Sequence, residues 1–171
     1  MMNERIEWLI SRRSCRNFAD DKVENEKLDQ IARAACNAPT ARNRQLWQFT
    51  IVTDTNVLKK LCTVIEKELD REGYSFYGAP VLILCSNDRE HRFGREDCAC
   101  AMHNIYLAAH ALELGCVWIN QLTDICDCED IRNILRPLDV PDNHVVYGCA
   151  AIGYAKGAPA QKIVSYPIVW H

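Results

Sequence analysis

The chain has 171 residues, 49% hydrophobic and 25% charged, with a formal net charge of −3. That length suits one domain, here 1–171, burying roughly 70% of its unfolded surface. The acidic balance argues against a general nucleic-acid surface, no apolar run reaches the roughly 18 residues of a membrane helix, and Met1-Met2-Asn3-Glu4-Arg5 lacks a signal-peptide core, so a cytoplasmic protein is expected.

Helices and strands alternate along the chain. The spacing of Ile6, Leu9 and Ile10 predicts a short helix over 5–13. Leu28, Ile31, Ala32 and Ala35 predict another over 24–37, stopped near Pro39. The β-branched and aromatic stretch 47–53 reads as a strand. A helix follows over 57–72, ending at Gly73, and Val81–Cys85 reads as a buried strand. Residues 97–114 form a long, nearly all-apolar helix, with Asp97 as its cap and Gly115 as its stop. A helix apolar all round belongs in a core or an interface. Val117–Ile119 is a short strand, Asp127 caps a helix halted by Pro137, and 145–152 is another buried strand. The tail from Gly157 has no helical period; Ile163-Val164 and Ile168-Val169-Trp170 are candidates for an edge strand, to a partner among other places. Neither a G-x-G-x-x-G nor a G-x-x-x-x-G-K follows Val52, so no dinucleotide fingerprint or P-loop is present there.

Ten cysteines stand at 15, 36, 62, 85, 98, 100, 116, 126, 128 and 149. Without a secretory signal they read as reduced thiols that fill the core, as in the runs around Cys85 and Cys149. Cys98/Cys100 and Cys126/Cys128 are C-x-C pairs, not the two-residue-gap pairs of zinc sites. His103 and His110 lie seven apart with no third ligand, and His91, His144 and His171 are isolated, so no metal is expected.

Two polar clusters stand out. Arg12, Arg13 and Arg16, with Ser14 between them, offer guanidiniums and a hydroxyl to an anion. Pro39, Thr40, Ala41, Asn43 and Gln45 form an amide- and hydroxyl-rich turn leading into Trp47 and Phe49. Each cluster also has a purely structural reading. Arginines at a helix end complement its dipole, and polar residues suit a helix-to-strand turn. Together they match a phosphorylated flavin, which needs an anion site and hydrogen bonds to a planar heteroaromatic edge.

The sequence resembles the nitroreductase family of FMN-dependent oxidoreductases over nearly its whole length. The resemblance rests on Arg12-Arg13-Ser14-x-Arg16-x-Phe18, on Ala38-Pro39-Thr40-Ala41-x-Asn43-x-Gln45-x-Trp47-x-Phe49, and on Gly78-Ala79-Pro80. It continues through Asp97-x-Ala99-x-Ala101-x-x-Asn104, Ala108-Ala109-His110-Ala111-Leu112-x-Leu114-Gly115-x-x-Trp118-Ile119 and Gly153-Tyr154, in the family's order. It implies an α+β fold, a mixed, mainly antiparallel sheet flanked by helices, in an intertwined homodimer with FMN sites built from both chains. The helix 97–114 would be the central dimer helix, and 157–171 an arm crossing the partner. By the same resemblance, Arg12, Arg13, Ser14 and Arg16 hold the phosphate, ribityl chain and pyrimidine side of FMN, one arginine tuning its potential. Pro39, Thr40, Ala41, Asn43 and Gln45 contact the flavin from the other subunit. Trp118, Ile119, Asn120 and Gln121 form the strand end and loop beside the ring. Lys162 is a second phosphate cation, with Lys156 the fallback.

Leu46 stands where the family often has proline, Cys98 and Cys100 replace small apolar residues, and only 86–96 separates the buried strand from the long helix. Larger relatives carry a covering helical excursion there, so a short lid is expected. The implied activity is ping-pong hydride transfer from NADH or NADPH to a small acceptor, nitroaromatic, quinone or related. No catalytic side chain is required beyond binding, orientation and electrostatics. The alternatives are a flavin-binding or sensing protein with little turnover, and a non-reductive member of dehalogenase or flavin-fragmenting type.

Overall fold

The apolar run from Val81 is buried because helices cover both faces of the strand it forms. The computed structural model describes residues 1–158, 162, 164–165 and 167–171. Strand β1 (Trp47–Val52) pairs with β2 (Val81–Asp88), β2 with β4 (His144–Gly153), and β4 with β3 (Gly115–Ile119). The order is β1-β2-β4-β3, and every pairing among the described strands is antiparallel. Phe49 lies opposite Cys85, Leu84 opposite Cys149, and Trp118 opposite Ala150. A bulge at Cys85/Ser86 shifts the β2–β4 register.

Alternation along the strands divides the core in two. Ile83, Cys85, Cys116 and Ala150 share one cluster with Ile31 of α2 (Asn25–Cys36) and Ile105 of α4 (Gly94–Ala111). Leu82, Leu84 and Cys149 share the other with Leu61 of α3 (Thr55–Leu69), Leu122 of α5 (Gln121–Ile125) and Ile131 of α6 (Glu129–Leu135). Asn104 ties α4 to α2, donating through Nδ2 to the Ala34 carbonyl at 2.8 Å. Helix α1 (Glu4–Ser11) differs: Asn3 caps it by accepting from the Arg5 N–H at 3.0 Å, yet it buries no residue.

Several expected boundaries move. Helix α4 begins at Gly94, so Asp97 sits one turn inside it and caps nothing. It ends at Ala111, with Leu112 as C-cap, and Gly115 opens β3 instead of stopping the helix. Helix α3 ends at Leu69, where Asp70 takes the left-handed cap at φ 47°, and Gly73 lies in the following turn. Cys128, not Asp127, is the N-cap of α6. Helix α5 is too short to leave a periodic pattern in the sequence and was not expected. In the tail, Ile163 lies outside the described residues, and Ile168–Trp170 pairs with no strand among the described residues.

Asp127 instead joins an ionic network. Its carboxylate accepts from Arg89 at 2.9 and 3.2 Å and from Arg132 at 2.6 and 3.2 Å. Arg132 is buried and donates onward to the His144 carbonyl at 2.7 Å, fixing α6 to the start of β4. The hydrogen bonds from Arg89, then Arg132, pull the Asp127 pKa down to about 2 from its usual 3.8. A carboxylate shifted this way stabilises the fold above its unfolded pKa, and the contribution fades as pH falls towards the folded value. Urea midpoints of wild type and Asp127→Asn should therefore differ near neutral pH and converge only as pH falls to about 2. Equal midpoints at neutral pH would show that the network contributes nothing.

All ten cysteines are unpaired, and Cys85, Cys98, Cys116, Cys126 and Cys149 are buried. Burial pushes the Cys116 and Cys149 thiols well up and the Cys62 thiol up to about 11, which keeps them protonated and poorly nucleophilic. Cys36 and Cys100 are exposed and fill no core.

Candidate functional site

The segment after α1 is drawn against β3 by main-chain contact. The Cys15 N–H donates to the Cys116 carbonyl at 2.9 Å, and Phe18 bridges Ala155. Gly115 makes this approach possible, since a Cβ there would lie 2.7 Å from Cys15 Sγ. The segment thereby brings two expected residues onto Tyr106 of α4. The Arg12 guanidinium stacks over the Tyr106 ring, 4.6 Å from its centroid. Ser14 Oγ lies 3.4 Å from the Tyr106 hydroxyl, which also accepts the Trp118 main-chain N–H. Trp118 in turn donates its indole N–H to Asn120. Gly148 leaves room for that indole: a Cβ there would lie 2.6 Å from Nε1.

One atom of this cluster is unsatisfied. Arg12 Nη1 is buried with no hydrogen-bond partner among the described residues. A buried guanidinium N–H without an acceptor is costly, and an anionic oxygen beside it would remove the cost.

The other arginines behave differently. Arg13 Nη1 donates to the carbonyls of Ile10, Ser11 and Arg12 at 2.7, 3.0 and 2.9 Å, closing the last turn of α1. For Arg13 the helix-end reading is therefore the one realised. Arg16 is exposed, as is Lys162.

The second cluster docks elsewhere. Its backbone is strained: Arg42, Asn43 and Gln45 have φ of 56°, 53° and 50°. Left-handed non-glycine residues cost on the order of 1 kcal/mol each, least for Asn. The turn is held from within by Asn43 N–H to the Thr40 carbonyl (3.1 Å) and Gln45 Nε2 to Asn43 Oδ1 (2.6 Å). From outside, Asp97 Oδ1 accepts the Ala41 N–H at 2.8 Å. Pro39, Asn43 and Gln45 are exposed, and Thr40 and Ala41 half-buried. Asp97 and Tyr106 are nine residues apart on α4, or about 14 Å at 1.5 Å per residue. Within one chain the two polar clusters are therefore anchored to different parts of the same helix.

A cavity of about 320 Å³ opens beside Trp118 and Asn120, with Arg95 and Ala99 of α4, Asp124 and Tyr147 on its wall. Ile119 and Gln121 point away from it. Ile119 is buried in the α3-side core, and Gln121 joins Tyr74 and Phe76 around a separate space of about 230 Å³. The aromatic run 74–77 thus lies apart from the Trp118 cavity, and its larger neighbour of about 670 Å³ lies against α3.

Comparison with known proteins gives the family. The sequence model of the nitroreductase family matches residues 9–154. The chain belongs to the nitroreductase family. A nitroreductase from Bacteroides fragilis NCTC 9343, solved with bound FMN, superposes with a TM-score of 0.92 at 34% identity, over 98% of this chain and 100% of that one. An Archaeoglobus fulgidus protein provisionally named NADH dehydrogenase/NAD(P)H nitroreductase is 30% identical over 91% of this chain and 87% of its own. An FMN reductase (NADPH) of Bacillus subtilis is 24% identical over 93% and 67%.

Two residues outside the predicted polar clusters make contacts within the candidate site. Tyr106 joins Arg12, Ser14 and Trp118. Its signal is a hydroxyl-bearing ring on a helix otherwise rich in small apolar residues. Asp97 reads as a helix cap. Its burial at 3% exposure, impossible to infer locally, shows a different role.

Proposed function

We propose that the chain is an FMN-dependent oxidoreductase that uses NADH or NADPH to reduce small acceptors, nitroaromatic, quinone or related. The observation that carries this reading is the buried, unpartnered Nη1 of Arg12 within the Arg12–Ser14–Tyr106–Trp118 cluster. That donor set fits a phosphorylated flavin: a fixed cation and a hydroxyl for its anionic groups, and an aromatic wall beside them. Arg12, Ser14 and Arg16 would hold it from one chain, and Thr40, Ala41, Asn43 and Gln45 from another. Arg13 is committed to α1, and Trp118 and Asn120 would flank the ring. Lys162 would add a phosphate cation. FMN, when bound, supplies the capacity to take a hydride from a reduced nicotinamide and give it to an acceptor.

The separation of the two clusters along α4 supports a homodimer in which each site draws on both copies, with 1–171 as one unit and 157–171 as the crossing arm. Ten unpaired cysteines suit a reducing compartment, and the reading places the enzyme in the cytoplasm. Among the described residues no helix is long and apolar enough to cross a membrane.

The chain contributes no proton donor or nucleophile that this chemistry needs. It binds, orients and screens. Donor and acceptor visit one site in turn, which makes the kinetics ping-pong. Purified protein should be yellow with one FMN per chain, oxidise NADH or NADPH, and give parallel double-reciprocal lines at several acceptor concentrations. Colourless protein that gains no flavin spectrum on mixing with FMN refutes the cofactor; intersecting lines refute the shared site.

A further inference from the structure

The turn 39–45 needs an external clamp, and the structure supplies it through a buried ionisable pair. Three non-glycine residues of the turn, Arg42, Asn43 and Gln45, have positive φ. Bonds within the turn cannot fix where it sits on the protein. Among the described residues, its side-chain-mediated bond to another element is the one from the Ala41 N–H to Asp97 Oδ1, at 2.8 Å. A carboxylate acceptor makes that bond charge-assisted and stronger than a neutral one.

Asp97 is itself held. Its second oxygen, Oδ2, accepts from His91 Nε2 at 2.9 Å, and the two side chains are 4% and 3% exposed. His91 belongs to the turn that follows β2. Its own N–H donates to the Asp88 carbonyl at 3.1 Å, and its carbonyl accepts from the Gly94 N–H at 2.8 Å. The chain of contact therefore runs from the end of β2 through His91 and Asp97 to Ala41. Both carboxylate oxygens are occupied, so the acceptor aimed at Ala41 has one fixed direction.

We propose that Asp97, locked by His91, is a positioning residue that sets where Thr40, Asn43 and Gln45 present their polar atoms to the flavin. The inference rests on the FMN reading of that turn. The connection between β2 and α4, shortened to residues 89–93 because 86–88 extend the strand and 94–96 open the helix, holds the histidine that locks the clamp.

Amide hydrogen exchange of the full-length protein, with and without FMN, tests this together with FMN affinity. Asp97→Ala and His91→Ala should speed exchange at residues 41–46 roughly tenfold while the amides of β2 and β4 keep their protection, and should weaken FMN binding in proportion. Asp97→Asn keeps an oxygen for the Ala41 N–H but loses the charge and sets an NH2 against His91 Nε2, so its exchange at 41–46 should fall between wild type and Asp97→Ala. If Asp97→Ala does not fold, His91→Ala decides, since it removes the lock and leaves the carboxylate. Unchanged exchange at 41–46 overturns the proposal, and so does faster exchange with unaltered FMN affinity. Arg12→Ala, measured alongside, separates the two levels. If it loses FMN while the clamp variants keep it, the clamp alone is wrong; if it too binds FMN normally, the flavin reading and the clamp fall together.

Discussion

Arg12→Ala is expected to weaken FMN binding roughly ten- to a hundredfold, the effect of losing one charge-assisted contact. Arg42→Ala should leave affinity unchanged, although it too removes a guanidinium from a polar cluster. The two positions differ in their surroundings. Arg12 is half-buried, stacked on Tyr106, with one nitrogen sealed from solvent and unpaired. Arg42 is exposed. Arg13→Ala separates charge from contact, because Arg13 is nearby but spends its guanidinium on the carbonyls of α1. It should cost helix stability more than affinity. Arg12→Lys is informative as well, since an ammonium keeps the charge but loses the planar stack and the fork. It should restore only part of the binding. Titration of apoprotein followed by flavin fluorescence reads all four variants. Equal affinity for wild type, Arg12→Ala and Arg42→Ala would remove Arg12 from the site.

These contrasts show what was legible in the chain and what was not. The strands were readable because Val81–Cys85 and Val145–Ile152 are apolar on both faces, and helices do cover both. The cluster 12–16 was readable from residue type, but its division of labour was not. Whether a guanidinium turns back onto its own helix, as in Arg13, or over a ring 94 positions later, as in Arg12, depends on packing between distant segments. Asp97 shows the same limit. An acidic residue before an apolar helical run looks like a cap, and only the turn at 88–94 wraps one more helical turn ahead of it. The family resemblance groups Ile119 and Gln121 with Trp118. Strand alternation sends Ile119 to the opposite face from Trp118, and the unforeseen α5 takes Gln121 the same way.

Replacing Ile6 and Ile10 together with glutamate should dissociate a dimer and release its FMN. Helix α1 buries nothing within its own chain, and Ile6, Leu9 and Ile10 lie on one helical face at 49%, 42% and 53% exposure. Val164, Ile168, Val169 and Trp170 of the tail are 55–89% exposed. Apolar surface collected on this helix and this segment supports the proposed dimer interface. The two polar clusters of the proposed site are anchored about 14 Å apart on α4, an arrangement compatible with a site shared between two copies. In the proposed homodimer a second copy would cover the apolar surface and complete the site at once. Completing burial of an isoleucine that is already half covered contributes on the order of 1 kcal/mol, and the double variant removes four such side chains per dimer. The dissociation constant should therefore rise at least roughly a thousandfold, with a further penalty for glutamates facing an apolar surface. Sedimentation at micromolar concentration should show dimeric wild type and monomeric Ile6→Glu/Ile10→Glu, the latter folded but colourless. A wild-type monomer that is folded and FMN-bound at that concentration would show that one chain completes the site alone, and the two-copy reading would have to be abandoned.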